Sequence, residues 1–227
     1  MTAMTTEIVL TMLQHGDSQF PSGAFAFSAG IEGMLSDGLV EGADLTVLLS
    51  AWLRHRWAKF DQVIAHRSAS FRGDMTRLAA LDAQVEAMLL SPTERAGSRR
   101  AGAALLAAHL RLGTPGASEV DEAVREGSLR GHRAVLEGVL WAALGLQSSQ
   151  IRLMSAFSYV NTLSSAAVRL GVCGSMTQQR LLTELTPLIT RLLAEPIGRD
   201  TELSSFSPLS EIAMTRLPAR HGALFAT

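Results

Sequence analysis

The chain has 227 residues, of which 47% are hydrophobic, and its formal net charge at pH 7 is −1. That length and apolar content allow a sizeable core without a cofactor or a disulfide, and the near neutrality gives no overall basic field for nucleic acid or an anionic membrane. The single cysteine, Cys173, excludes an internal disulfide and fits a reducing compartment.

The predicted elements are all helices. Ala, Leu, Val and Met supply most of the apolar residues, whereas strands would need more β-branched and aromatic residues; aromatics make up only 5% of the chain. The periodicity predicts an all-α fold, a single domain of about eight to ten helices with no convincing strand. In chain order the helices are predicted at 6–15, 24–37, 44–71, 73–90, 92–112, 118–145, 148–170, 176–194 and 207–215. Gly73, Gly127 and Gly131 are candidate breaks within the longer ones.

The helix predicted at 44–71 has the clearest pattern. Asp44 stands just before its first apolar residue as a candidate N-cap. The apolar residues recur at intervals of three and four, the spacing of one buried helix face. They are Leu45, Leu48, Leu49, Trp52, Leu53, Trp57, Phe60 and Ile64.

The same helix carries a basic cluster, which consists of Arg54, His55, Arg56 and Lys59. One interpretation is a solvated face whose aliphatic stems cover apolar surface. The alternative is a protein-binding patch with Arg54 and Arg56 as its candidate residues, because Arg and Trp are favoured interface anchors. Nucleic acid ranks behind both, since the rest of the chain offers no matching charge.

Four segments carry the signals of a helix start. Ser91-Pro92-Thr93-Glu94 combines an N-cap serine, a proline at the first helical position and a glutamate at the third, which predicts a capping box. Ser118-Glu119-Val120-Asp121 resembles the box more loosely, and 175–178 has its spacing. Ser207-Pro208 again places a proline just inside a helix start.

The helix predicted at 148–170 has an unusual composition. From Ser155 to Leu170 it is rich in Ser and Ala, with Asn161 near its centre. Small residues let neighbouring helices approach closely, so we predict an inner helix. Buried polar groups are hydrogen-bonded in any case, and Asn161 is therefore interpreted as a satisfied core amide rather than a functional one.

The usual metal and catalytic motifs are absent from the sequence. The six histidines form no H-x-x-x-H or H-E-x-x-H pair, and none stands beside Cys173 at a ligand spacing. No phosphate-binding glycine loop is present. We expect no catalytic residue, no cofactor and no metal held by this chain, a buried inert thiol at Cys173, and histidines at the surface or in hydrogen bonds. His221, in the predicted tail, is the one histidine left open.

The sequence predicts a soluble cytoplasmic protein. Its most apolar region, 134–170, is interrupted by Glu137, Arg152 and Arg169, so no run reaches the length of a membrane span. No Lys or Arg precedes the first apolar run, which argues against a secretory signal.

The segment from Asp17 to Glu32 cannot be explained as a generic helix. It consists of a helix stop, a Pro-Ser-Gly turn and a helix that carries aromatic residues. It resembles the signature of the urease accessory protein UreF family, roughly S-x-x-x-P-x-G-x-[FY]-x-[FY]-S-x-G-[LIV]-E. The positions that carry the resemblance are Pro21, Gly23, Phe25, Phe27, Ser28, Gly30 and Glu32.

Three later segments are similar to the same family in the same order. They are 86–102, 174–189 and 157–170, and the last contains Asn161, Ser165 and Arg169. The resemblance covers nearly the whole chain, roughly 8–225. The chain departs from the family pattern at Ser175, where the family usually has Gln, and along its tail, where Ala223 and Ala226 stand at the two late positions that are usually Arg.

The resemblance implies an all-α, dimeric, non-catalytic scaffold. Proteins of this family bridge UreD (also called UreH) and the GTPase UreG, and the complex with the urease apoprotein receives nickel as GTP is hydrolysed. For this chain it implies a role in assembling the nickel metallocentre of urease. The nickel and the GTP would belong to its partners.

Two alternatives to this function stay open. One is a helical ligand-sensing or interaction module unrelated to urease. The other is a helical hydrolase or transferase that uses Ser28 or Glu32, although Ser28 lacks the preceding strand and the first glycine of a nucleophile elbow. Co-purification with UreD and UreG would separate these alternatives.

The C-terminal tail, 216–227, is predicted to be flexible. Its first part contains a proline and a glycine but few large apolar groups, so we do not expect it to fold alone. One interpretation is that the terminal apolar residues dock on the parent domain. The other is that the tail becomes ordered on UreD, with Arg216, Leu224 and Phe225 as its anchors.

Overall fold

A computed structural model describes residues 5–23, 30–38, 45–205 and 207–216. Its elements, in chain order, are α1 Thr6–Gly16, α2 Ile31–Ser36, α3 Leu45–Trp52, a π-helical segment Leu53–Asp61, α4 Gln62–Ser70, α5 Met75–Met88, α6 Pro92–Arg111, α7 Ala117–Arg125, α8 Arg133–Ala143, α9 Ser148–Arg169, α10 Ser175–Ala194 and α11 Pro208–Arg216. With 45–70 counted as one helix there are ten, and the described ranges contain no strand. The predicted all-α single domain is confirmed.

The helix predicted at 44–71 is continuous over 45–70, but its middle is π-helical. The backbone N–H of Gln62 bonds to the carbonyl oxygen of Trp57, five residues back, where an α-helix would bond four back. The predicted apolar face is confirmed, because all of its members except half-buried Leu48 are buried. Asp44, the predicted N-cap, lies outside the described residues.

The predicted capping boxes have different outcomes. Ser91 does cap α6, since its hydroxyl accepts from the backbone N–H of Glu94 at 3.4 Å, but the Glu94 side chain bonds to Arg56 instead of returning to the cap. The boxes predicted at 118–121 and 175–178 are wrong, because α7 and α10 begin after glycines and have no side-chain cap. Pro208 opens α11 as predicted.

The predicted helix 118–145 is divided into α7 and α8 by residues 126–132. Gly127 and Gly131 both adopt a positive φ, which a helix cannot continue through. The carboxylate of Asp82 holds this turn, because it accepts from the backbone N–H groups of Arg130, Gly131 and His132. The candidate breaks at the two glycines are therefore confirmed.

The core is built around α8 and α9. Every residue from Ala134 to Trp141 is buried, and α8 packs closely on α4, where the hydroxyl of Ser68 donates to the carbonyl oxygen of Val135. The inner position predicted for α9 is confirmed by its buried small residues, Ser155, Ala156, Ser164, Ala166 and Ala167. Within the described ranges, no helix has the length and apolar character needed to cross a membrane.

Helix α11 is held by residues near the beginning of the chain. A Cβ atom at Gly30 would lie 2.7 Å from the carbonyl oxygen of Ser210, and one at Gly33 would lie 2.7 Å from that of Ala213. These two positions therefore need glycine so that α2 can lie directly on the backbone of α11. In the described residues, the predicted helix 24–37 is present only as α2; residues 24–29 lie outside them.

The linker between α10 and α11 is fixed by two arginines. Arg67 of α4 donates to the carbonyl oxygens of Arg199 and Thr201. Arg152 of α9 donates to the carbonyl oxygens of Leu192, at 3.2 Å, and Glu195, at 2.9 Å. The path of the chain into α11 is thus set by side chains from two central helices.

Candidate functional site

A cavity of about 320 Å³ lies between the segment that follows α1 and one face of α9. We call it the signature cavity, because residues 17–23 of the family-like segment form one of its walls. The opposite wall is a polar stripe on α9, whose members are spaced so that they share one helix face: Ser158, Asn161, Thr162, Ser165 and Arg169. His15, Gly16 and Arg133 complete the lining.

The polar stripe is held in place by α10. The side-chain nitrogen of Gln178 donates to the Oδ1 atom of Asn161 at 3.1 Å and to the hydroxyl of Ser165 at 2.8 Å. Asn161 is therefore hydrogen-bonded as predicted, but it is half-buried at the cavity wall rather than in the core. Gln178 was expected to cap its own helix, α10, but its side chain instead orients Asn161 and Ser165 of α9.

Two buried histidines and a phenylalanine adjoin this cavity. The ring centroid of His15 lies 4.3 Å from that of Phe20 and 4.8 Å from that of His109. The Nδ1 atom of His109 bonds to the hydroxyl of Thr114 at 2.9 Å. Burial lowers the pKa of both histidines, and the neighbouring His15 helps to lower that of His109 to about 4. Both rings are therefore neutral at pH 7.

The buried His109 should make the protein less stable in acid. Its pKa rises from about 4 in the folded chain to about 6.5 on unfolding, so the unfolded state takes up the proton first. The contribution of the neutral His109 ring to the free energy of unfolding is therefore fully present above pH 6.5 and is lost as the pH falls toward 4. The free energy of unfolding should fall by about 2 kcal/mol between pH 7 and pH 5.

Urea unfolding at several pH values would measure this loss. His109→Gln keeps a partner for Thr114 but cannot titrate, so its stability should change less over this interval. His55→Gln, at an exposed position, is the control and should keep the wild-type slope. Equal pH slopes for His109→Gln and the wild type would contradict the assignment.

A second cavity, of about 90 Å³, contains a buried network of charges. We call it the ion-pair cavity. Arg56 donates to Asp61 at 3.1 Å and to Glu94 at 2.7 Å, and Arg133 donates to Glu137 at 2.7 Å. Arg133 and Thr162 line both cavities, so the two are neighbours that share a wall.

The environment of this network explains its charge states. Burial opposes the charge on Arg56, but Asp61 and Glu94 outweigh burial and raise the pKa of the guanidinium. Burial also raises the pKa of Glu137, against the effect of Arg133. The pKa of Tyr159 is raised by burial and by the nearby Asp61, so its phenol stays protonated.

The structure divides the predicted basic cluster. Arg54, His55 and Lys59 are exposed, whereas the side chain of Arg56 is only 13% exposed and its guanidinium lies 4.4 Å above the ring of Phe60. Arg56 stands three residues after Leu53 and four before Phe60, so helical spacing already places it on the buried face of this helix. Arg54 remains a candidate for binding a partner, while the guanidinium of Arg56 is already engaged within the chain.

The signature residues fall into two groups. Pro21 and Gly23 lie at the signature cavity, and Gly23 has a positive φ and lies so close to α6 that a Cβ atom would be 2.7 Å from that of Ala104. Gly30 lies against α11, and Glu32 is buried at the start of α2. The remaining signature positions, Phe25, Phe27 and Ser28, lie outside the described residues.

The predicted tail anchors are only partly described. The side chain of Arg216 is 63% exposed, and its Nη1 atom lies 3.8 Å from the Oδ2 atom of Asp37. Leu224, Phe225 and His221 lie outside the described residues.

Most of the ion-pair cavity was not predictable from the sequence. The ion pair of Arg133 and Glu137 did have a sequence signal, since the two charges stand four residues apart on an otherwise apolar helix. Tyr159 could have been noticed only as the single tyrosine of the chain. Nothing local connects Asp61 or Glu94 with Arg56 as partners, and Glu94 had already been assigned to a cap.

Metal-ligating side chains are not clustered in the ranges that the structure describes. No group of three or more His, Cys, Asp or Glu side chains in these ranges could hold a metal ion. Cys173 is half-buried rather than buried, and burial raises the pKa of its thiol, which disfavours the reactive thiolate. Hydrogen-bonding and ion-paired groups stand among the residues that line the two cavities.

Comparison with known proteins decides the family. A family model described as UreF matches residues 39–186, which is more than half of the chain. The chain belongs to the UreF family. Relatives described as "Urease accessory protein UreF" match it over nearly their whole length, so the UreF match extends beyond the residues of the family model. The protein of Arthrobacter sp. (strain FB24) is 30% identical over 95% of this chain and 96% of its own.

Two further UreF proteins agree with this match. The protein of Yersinia pestis (strain Pestoides F) is 28% identical over 98% of this chain and 100% of its own, and that of Trichodesmium erythraeum (strain IMS101) is 26% identical over 96% of each. The predicted family is thereby confirmed. In this UreF chain, the family-like segments at 17–23 and 157–170 meet at the signature cavity.

Proposed function

We propose that this protein is a non-catalytic scaffold that bridges UreD (UreH) and the GTPase UreG while nickel is inserted into the urease apoprotein. The proposal rests on membership of the UreF family, whose curated relatives are described as urease accessory proteins. Urease maturation would take place in the cytoplasm. The nickel and the GTP would be held by the partners, which fits the absence of nucleotide and metal motifs from the sequence.

The free face of α11 is the observation that best supports a bridging role. Leu209 is 57% exposed and Ile212 is 46% exposed, and with Arg216 they lie on one side of the helix at i, i+3 and i+7. The opposite side, with Ser210 and Ala213, packs against α2. A helix that packs by one side and has an apolar outer face with a cation at its end is typical of a binding surface.

We propose that UreD binds this face. The tail that follows α11 would extend the contact, with Arg216, Leu224 and Phe225 as anchors that become ordered on binding. Arg54, on another exposed helix face, is proposed as a separate partner contact; the side chain of Arg56 is engaged elsewhere.

Replacing two apolar residues of this face should weaken UreD binding. In Leu209→Asp/Ile212→Asp, charges occupy the centre of the proposed interface, and we expect the affinity for UreD to fall about tenfold or more. The melting temperature should change little, because both side chains are exposed. Isothermal titration calorimetry with purified UreD, together with urease activation in cells, would measure the effect.

Leu90→Asp is the matched control, since Leu90 is 73% exposed and lies between α5 and α6. Deleting the residues after Thr215 tests the tail in the same assay. A large drop in melting temperature on deletion would indicate a tail docked on its own domain. Unchanged UreD affinity in both the double variant and the deletion would contradict the proposal that UreD binds this face.

We also propose a homodimer. Exposed apolar residues of α1 and α9 form a stripe beside the point where the ring of Phe157 lies against Gly16: Leu10, Leu13, Leu153 and Phe157. A two-fold interface is self-complementary, so one such stripe is enough. Light scattering should give twice the mass of the chain, and Leu13→Asp should reduce it. A strict monomer, alone and with UreD, would count against this proposal.

A further inference from the structure

Helices α5 and α6 carry more positive than negative charge, and most of the negative charge is buried. The two helices contain five arginines and three acidic residues, and none of these arginines is buried. Asp82 is buried and accepts from backbone N–H groups of the turn before α8, and Glu94 is buried against Arg56. Glu86, the remaining acid of the two helices, is half-buried. The solvent-facing side of α5 and α6 is therefore basic.

Glu86 brings two of these arginines together. Its Oε1 atom lies 3.5 Å from the Nε atom of Arg95 and 3.3 Å from the Nη1 atom of Arg99, and its Oε2 atom lies 2.7 Å from the Nε2 atom of His132. Arg95 is fixed further, because its Nη1 atom donates to the backbone carbonyl oxygen of Leu89. One carboxylate therefore orients two guanidiniums but cannot neutralise the charge of both.

Arg130 adds a third positive charge to the same part of the molecule. Its backbone N–H donates to the carboxylate of Asp82, which stands four residues before Glu86 on α5. On the other side, a Cβ atom at Gly102 of α6 would overlap a carbonyl oxygen of the same turn, and Gly102 stands three residues after Arg99. The turn that carries Arg130 is therefore packed between α5 and α6, about one helical turn from Glu86 and Arg99. The side chain of Arg130 is exposed and makes no hydrogen bond or ion pair within the described ranges.

We call Arg95, Arg99 and Arg130 the arginine surface, and it has hydrogen-bond donors to spare. The Nη1 atom of Arg99 faces Glu86, but its other guanidinium nitrogens donate to no group in the described part of the chain. The side chain of Arg99 is 40% exposed, so an acceptor from outside can reach it. A guanidinium that is already oriented loses less entropy when it pairs with a carboxylate. The surface therefore suits a partner that brings carboxylates.

Protein carboxylates fit this surface better than a nucleic acid does. Glu86 stands beside Arg95 and Arg99 and would repel a continuous line of phosphates, whereas separate carboxylates can be spaced to avoid it. The neighbouring exposed residues of α5 are Ala83 and Ala87, so they offer no aromatic ring on which a base could stack. The expected partner is therefore a protein.

We propose that the arginine surface binds an acidic segment of a partner protein, whose carboxylates pair with Arg99 and Arg130. This contact goes beyond the proposed function, does not depend on it, and uses residues distinct from those on the outer face of α11. Charge complementarity of this kind selects the partner and speeds association. Because the surface is exposed, added salt should weaken the binding.

Titration of the full chain into a fluorescent peptide of alternating Glu and Ala, followed by fluorescence anisotropy at low ionic strength, tests the surface. The same peptide with Gln in place of Glu, and a fluorescent oligodeoxythymidylate, are titrated in parallel. We expect the Glu peptide to bind more tightly than either. Arg99→Gln/Arg130→Gln should raise its dissociation constant about tenfold or more, because two charge-assisted contacts are lost. The melting temperature should change little, since both side chains reach solvent.

Arg180→Gln/Arg191→Gln is the matched control, because both residues are exposed on α10 and their replacement changes the net charge by the same amount. It should keep most of the wild-type affinity for the Glu peptide. Equal losses in the two double variants would mean that only the overall charge matters, which would overturn the proposal. So would a Glu peptide that binds no better than the Gln peptide, or an oligonucleotide that binds more tightly than the Glu peptide.

Discussion

Gly138→Val should unfold much of the protein at moderate denaturant concentrations. Gly138 lies where α8 crosses α4, and a Cβ atom there would overlap the carbonyl oxygen of Ala65 and lie 2.8 Å from the Cβ atom of Ser68. The helices would have to separate, which would also break the hydrogen bond from Ser68 to Val135. We expect a loss of roughly 4 kcal/mol or more in the free energy of unfolding, at the upper end for overpacked cores.

Urea unfolding followed by circular dichroism would measure this loss. Gly198→Val is the matched control, because Gly198 is exposed and a Cβ atom there would make only ordinary contact, 3.7 Å from the hydroxyl oxygen of Thr201. Its effect should stay within about 0.5 kcal/mol. A Gly138→Val protein as stable as the control would mean that α4 and α8 do not cross at this residue.

Arg56→Met should cost about 3–5 kcal/mol of stability. The substitution keeps an unbranched side chain of similar length but leaves the carboxylates of Asp61 and Glu94 buried without their cation. Chemical unfolding at pH 7 would measure the change. Arg54→Met, at an exposed neighbour, should change stability by less than about 0.5 kcal/mol.

A triple variant separates two effects: the loss of the ion pairs of Arg56, and the cost of leaving Asp61 and Glu94 buried without a cation. In Arg56→Met/Asp61→Asn/Glu94→Gln no charge is left without a partner, so most of the lost stability should return. If Arg56 acted mainly as an anchor for a partner protein, Arg56→Met would weaken binding and leave the unfolding curve of the isolated chain unchanged. That result would contradict the internal role.

The helices were predictable where their signals are local. The apolar face predicted from Leu45 to Ile64 is confirmed, because its spacing reflects the burial of one side of a long helix. The breaks at Gly127 and Gly131 were predictable because a positive φ is a property of a single residue. The π-helical segment was not, since no local signal in the sequence marks it. The burial of Arg56 did have a signal, because it stands four residues after Trp52 and four before Phe60 on the apolar face.

The side chains of the candidate site show the same limit. Glu94 and Gln178 both stand at the spacing of a helix cap, yet the side chain of each bonds to a residue of another helix. The sequence identified 17–32 and 157–170 as separate family-like segments. It could not show that they form opposite walls of one cavity, because that requires the packing of α1 and α9.

The packing of α11 sets the order in which parts of the chain can fold. The helix is near the C-terminus, but the surface on which it packs contains Gly30 and Gly33. Arginines of α4 and α9 bind the backbone of the segment that leads to it. During synthesis, α11 can dock only after these earlier parts have folded, since its contacts span almost the whole chain. If the proposed partner binds the outer face of α11, it would bind only chains in which these earlier parts have already folded.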